Sequence, residues 1–90
     1  DRLYQMEATP VVRLNRAVAL AEVAGAARGL AELDAIADEL EGYQPYYAAR
    51  AALLVGDGQI GAAREAYDQA IEFSRNTVDI RFLTERRDAL

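Results

Sequence analysis

The sequence predicts an all-α fold, a right-handed array of antiparallel helix pairs. Three observations carry that expectation. Apolar residues recur three and four positions apart along nearly the whole chain, which is the helical period. Strand signals, meaning short alternating runs rich in β-branched residues, are nearly absent. The chain also repeats itself, because Arg16-Ala17 falls on Arg50-Ala51 when the sequence is shifted by 34 positions.

Taken in order, Leu3, Tyr4 and Met6 read as the end of a helix whose start lies upstream, so the chain reads as part of something longer. Thr9-Pro10 is a helix start: threonine caps, and proline suits the first helical position, where its missing N–H costs nothing. The helix that follows is expected over about 10–22, with Val12, Leu14, Ala17, Val18 and Ala21 on its apolar side. A turn at Ala24-Gly25 leads to a helix over about 27–40, with Leu30, Leu33, Ile36, Ala37 and Leu40 as its stripe and Gly42 as its stop. Pro45 opens a fourth helix ending near Gly56, and Gly56-Asp57-Gly58 makes the turn into a fifth over about 60–74. Asn76 caps a last helix, with Asp79 in its first turn and Ile80, Phe82, Leu83 and Leu90 on its apolar side.

The repetition runs further than one pair of residues. Leu20 falls on Leu54, Gly29 on Ala63, Leu33 on Tyr67 and Ile36 on Ala70. A period of about 34 residues is that of the tetratricopeptide repeat, a helix pair whose apolar stripe is buried only by stacking on its neighbours. Small residues at 17, 51, 29 and 63 let paired helices approach closely, and the large Leu33 and Tyr67 fill the space between repeats. The second copy fits the signature better than the first, which has Arg13 where an aromatic is usual. Both copies place arginine, Arg16 and Arg50, where leucine is usual, and neither has the closing proline. Two copies are fewer than the usual three, so the flanking segments 1–8 and 77–90 are expected to act as caps. The competing reading is a generic helical bundle whose periodicity is accidental.

Composition bounds the rest. A chain of 90 residues makes one domain, spanning 1–90, and at this size it buries roughly 60–68% of its unfolded surface. Its hydrophobic fraction is 52%, much of it alanine, and there is no cysteine and no histidine. Thiol chemistry and disulfides are therefore excluded, and the commonest general base and metal ligand is missing. There is no run long enough to span a membrane and no signal-peptide pattern, which makes the cytoplasm the expected compartment. The net charge of −5 opposes contact with phosphate backbones, so nucleic acid is not expected to bind here. All ten basic residues are arginine, a codon signature of a GC-rich bacterial genome.

Several strings together resemble a known family. They are Pro10-Val-Val-x-Leu14-Asn-Arg-Ala-Val-Ala-Leu20, Gly42-Tyr-x-Pro-Tyr-Tyr-Ala-Ala-Arg-Ala-x-Leu53, Gly-x-x-x-x-Ala63-x-x-x-Tyr67-x-x-Ala70, and Phe82-Leu83-x-x-Arg86. Over nearly the whole chain the pattern is similar to the tetratricopeptide-like C-terminal extension of extracytoplasmic-function RNA polymerase sigma factors. The resemblance implies a full protein that brings core polymerase to promoters through upstream domains, with this part regulatory or partner-binding. Its implied partners are proteins: those upstream domains, the polymerase core through the full-length protein, or a separate regulator. Promoter DNA would be met only through the upstream domains, since these residues hold neither a helix-turn-helix nor a basic face.

The signals that carry chemistry elsewhere are weak here. Gly56-Asp-Gly-Gln-Ile-Gly61 matches G-x-G-x-x-G, but a dinucleotide fingerprint needs a preceding strand, and here a helix precedes it, so it reads as a plain turn. Asp34, Asp38, Glu39 and Glu41 cluster late in one helix; without histidine or a second cluster they read as a solvated face rather than a metal or acid–base pair. Arg16 and Arg50 suit an acidic ligand, though pairing with a nearby carboxylate at a helix junction is the preferred reading. Asn15, whose counterpart is Ala49, has no lysine beside it to clamp a peptide terminus. No catalytic, cofactor or metal residues are assigned, and an enzyme is not expected. The inner groove of such an array is lined by the first helix of each pair. That places Val11, Leu14, Val18, Ala48, Ala52 and Val55 on an apolar surface suited to a helix or extended peptide. The chain's own caps or an upstream domain could equally cover it. A free-standing adaptor for a partner peptide is the alternative function.

Overall fold

A computed structural model of the chain describes residues 9–90. The described residues form α1 (Pro10–Ala24), α2 (Ala26–Ala35), a single 3-10 turn (Ala37–Leu40), α3 (Gln44–Gly56), α4 (Ile60–Glu72) and α5 (Thr77–Asp88), with no strand among them. The expected helical end at Leu3–Met6 and the capping role of 1–8 fall outside these residues. No helix among them is long and apolar enough to cross a membrane.

The chain ends of each helix follow from local chemistry. Thr9 Oγ1 accepts the Val12 N–H at 3.2 Å and Pro10 fills the first position of α1. Gly25 alone joins α1 to α2. Its φ of 102° and ψ of 154° lie in a region open essentially to glycine, and its carbonyl accepts the N–H groups of Arg28 and Gly29. At the end of α3 the Gln59 N–H bonds the Leu54 carbonyl and the Gly58 N–H bonds that of Val55, with Gly58 at φ 79°. That is the Schellman arrangement, and it explains the central glycine of the Gly56–Gly61 string as a helix stop. Asn76 Oδ1 accepts the Asp79 N–H at 2.7 Å and Asn76 Nδ2 donates to Asp79 Oδ2, while Arg86 and Arg87 sit in the last turn of α5 against the helix dipole.

The helices pack as two pairs and a terminal helix. The pairs are α1 with α2 and α3 with α4; α2 and, less extensively, α1 lie against α3, and α5 lies against α4. One apolar core runs through the stack, built of leucine, isoleucine, alanine and tyrosine. The residues equated by the 34-position shift occupy equivalent places in it. Ala17 and Ala51 are both buried, as are Gly29 and Ala63, Leu33 and Tyr67, and Ile36 and Ala70. Leu20 is half-buried where Leu54 is buried, so the first pair is closed less completely than the second. The fold is the expected all-α helical repeat.

Four local expectations need correction. The helix expected over 27–40 breaks at Ile36, where φ is −115° and ψ is 11°. The Leu33 carbonyl there takes the Ile36 N–H at 3.1 Å and the Tyr46 hydroxyl at 3.4 Å in place of a continuing α-helical partner. The tighter turn that follows keeps both Ile36 and Leu40 buried. Val12 is exposed, because it stands two positions from the buried Leu14 and residues so spaced do not share a helix face. In α5 only Leu83 is fully buried; Phe82, its neighbour, is 53% exposed and Ile80 is 37% exposed. The fifth helix stops at Glu72, two residues early, where Ser74 Oγ donates to the Ala70 carbonyl at 2.8 Å.

Gly29 sits where α1 and α2 come closest. A Cβ there would meet Ala21 Cβ at 2.7 Å, the Ala17 carbonyl oxygen at 2.9 Å and Leu53 Cδ1 at 3.0 Å. Gly61, in the first turn of α4, has nothing within 4 Å of such a Cβ. The same substitution is therefore expected to act with opposite signs. Gly29→Ala should destabilise by about 1–3 kcal/mol through overpacking, while Gly61→Ala should stabilise by up to about 1 kcal/mol through the unfolded chain's entropy. Urea unfolding of the two variants beside the wild type measures both.

Candidate functional site

The first helix of each pair, α1 and α3, carries the six residues expected to line a binding groove. On α1, Val11 is 40% exposed and Val18 is half-buried, but Leu14 is 4% exposed and belongs to the core. On α3, Ala52 is exposed, and Ala48 and Val55 are half-buried against the core. Leu14 thus serves packing between the helices, and of the other five only Val11 and Ala52 are exposed. No pocket opens among the described residues.

The arginines at equivalent repeat positions part company. Arg50 Nη1 bonds Asp34 Oδ1 at 2.8 Å, tying α3 to α2 across the junction between the two pairs. Arg16 is exposed on α1. At the position equivalent to Tyr47, Arg13 reaches Glu39 at 3.2 Å and ties α1 to the 3-10 turn. Asp34 and Glu39, half of the acidic cluster, are thereby engaged by arginines, and no group of three or more metal-ligating side chains gathers among the described residues.

Beside Arg50 lies a tyrosine cluster that the sequence marks only by the doublet Tyr46-Tyr47. The two rings meet edge to face with centroids 5.1 Å apart, and Tyr47 stacks on Phe73 at 5.1 Å. The Tyr47 hydroxyl accepts the Gly42 N–H at 3.0 Å, which closes the loop before α3. Tyr46 is 4% exposed, and burial pushes its phenol above the ordinary tyrosine value; Asp34 and Tyr47 add in the same direction while Arg50 pulls against them.

A second apolar surface went unread in the sequence. On α5, Val78 is 77% exposed and Phe82 53%, one turn apart on the side away from Leu83, and the Arg86 guanidinium lies 4.8 Å over the Phe82 ring. The signal available was the spacing itself, since Val78 and Phe82 are four apart and neither shares a face with Leu83.

Among curated proteins the chain is similar to an uncharacterised protein of Rhizobium meliloti (strain 1021), 35% identical over 94 aligned positions that take in 100% of this chain and 22% of the relative. No family model matches the chain, and no solved structure matches it.

Tyr46 gives a test of the junction between the pairs. Tyr46→Phe removes the bond to the Leu33 carbonyl, which at 3.4 Å is long, so its loss should cost roughly 0.5 kcal/mol near neutral pH, at the weak end of the usual range. The phenol's folded value is raised above its unfolded one, so its contribution is complete below the ordinary value near 10 and is lost as pH rises through the raised folded value. The gap between wild type and variant should therefore hold from about pH 8 to about pH 9 and narrow above about pH 10, read by urea unfolding at each pH.

Proposed function

We propose that this module is the regulatory, protein-binding C-terminal domain of an extracytoplasmic-function sigma factor. In this reading it acts through protein contacts on the domains that direct RNA polymerase to promoters in transcription initiation. The observation that carries the reading is the set of strings at 10–20, 42–53, 58–70 and 82–86. Part of that set is what any such array needs, since Leu14, Ala17, Ala51, Ala63, Tyr67 and Ala70 are core residues. Packing does not ask for Asn15 and Arg16, which are exposed on α1, so their presence in the string speaks for contact with another surface.

The architecture supports binding rather than catalysis. Stacked helix pairs present extended surfaces to protein partners, and the chain has neither histidine nor cysteine to supply a nucleophile or base. The net charge of −5 leaves promoter contact to other domains. A cytoplasmic site of action follows from the reading, and no cofactor enters it. In the Rhizobium relative the matched stretch is 22% of a longer chain, in keeping with a module that works inside a larger protein. The adaptor reading differs in one respect: its partner would be a separate peptide.

The test is transcription in vitro from a cognate promoter by the full-length protein with and without this module. Removal is expected to change initiation several-fold, and equal initiation overturns the reading. Ala52→Glu, at the exposed centre of the α1–α3 surface, should abolish retention of the upstream domains by the isolated module; retention by neither form would favour the adaptor.

A further inference from the structure

α2 covers α1 and α4 covers α3, whereas α5 packs on α4 and turns Val78 and Phe82 outward on the side opposite Leu83. Among the described residues this outer face carries a valine that is 77% exposed and a phenylalanine that is 53% exposed.

The charges around that stripe indicate what covers it. Residues 77–90 hold three arginines, Arg81, Arg86 and Arg87, and three acids, Asp79, Glu85 and Asp88, so the segment is neutral while the whole chain carries −5. Their order along the helix is self-complementary. Val78, Phe82, Glu85 and Ala89 follow one another down the outward face at spacings of four, three and four, the seam of a paired helix. Asp79 and Arg86 lie along one flank of that seam, Arg81 and Asp88 along the other. When two identical helices pack antiparallel about a two-fold axis, each flank meets its own copy. Aligning Phe82 with Glu85 of the second copy places Val78 against its Ala89, Asp79 beside its Arg86 and Arg81 beside its Asp88. Every charge pair is of opposite sign, and the same alignment satisfies both flanks. A parallel pairing in register would instead set Arg81 against the like-charged Arg86 of the second copy.

We propose that α5 is the interface of a two-fold symmetric dimer, in which α5 of one copy packs antiparallel on α5 of a second. Phe82 lies at the centre with Arg86 over its ring, and Val78 closes each end. One helix on one helix is a small interface, so the association is weak and concentration-dependent. Glu85 is the one charged residue in the seam, and its position opposite Phe82 limits the affinity further. The inference stands apart from the transcription reading and does not need it.

The experiment is sedimentation equilibrium of the chain from about ten micromolar to about one millimolar, a range that brackets a weak complex. The mass is expected to rise with concentration from the 9.9 kDa of one chain toward twice that value. Phe82→Glu should hold the mass at one chain throughout. Its circular dichroism melt should match the wild type, since the residue faces away from the core. Arg81→Asp should weaken association about tenfold by setting like charges together twice, and adding Asp88→Arg should restore it by exchanging the pair. A wild-type chain that stays a single chain at every concentration overturns the proposal, as does a dimer indifferent to Phe82→Glu. Failure of Asp88→Arg to rescue Arg81→Asp overturns the antiparallel geometry and the proposal with it.

Discussion

The close approach of α1 to α2 at Gly29 sets the geometry on which the rest of the array depends. Where a side chain would be, Ala21 and the Ala17 carbonyl already stand within 3 Å. With the helices this near, a core built largely of alanine can be filled, because small side chains reach across only when backbones are close. The second pair meets the same constraint with Ala63 opposite Ala51, both fully buried. Leu33 and Tyr67, both buried, then supply the bulk that a row of alanines lacks. A chain with 52% hydrophobic residues and few aromatics has no other route to a dense interior.

The ion pairs play a different part. Arg13 with Glu39, Arg50 with Asp34 and Arg87 with Asp68 each join one element to its neighbour. All lie at partly or fully exposed positions, where water and salt screen such pairs and they add little to stability. Their effect is on register: each fixes which turn of one helix faces which turn of the next. Asp68, with Asp88, also holds the Arg87 guanidinium more firmly charged than usual. The first repeat shows the same logic. It places Arg13 where the second repeat places Tyr47, and replaces an aromatic contact with an electrostatic one across the surface.

Much of this was legible in the sequence, and what was not has physical causes. The helix starts at Thr9-Pro10 and Asn76 were readable because capping is local chemistry, decided within four residues. The core positions of both repeats were readable because a shift that superimposes two helix pairs must superimpose their buried faces. The break at Ile36 is not readable, since neither a glycine nor a proline marks it in the sequence. Leu14 was assigned to a groove although it is buried, because a helical stripe does not reveal which of its members a neighbouring helix will cover. In α5 the sequence places Ile80, Phe82, Leu83 and Leu90 on one apolar side, whereas Phe82 lies outward beside Val78, which that stripe does not include.

The succession of contacts, each element resting chiefly on the next, also bears on how the chain reaches its native state. The more extensive interfaces join successive helices, and the smaller contacts of α1 with α3 and with the 3-10 turn are the exceptions. Little loop-closure entropy must be surrendered before a contact forms, and a single glycine suffices to bring α1 back along α2. Local topologies of this kind cross their folding barriers in microseconds to milliseconds. Ordering can begin at whichever pair forms first and spread outward. The tyrosine-sealed second pair, closed more completely than the first, is the natural nucleus from which that ordering spreads.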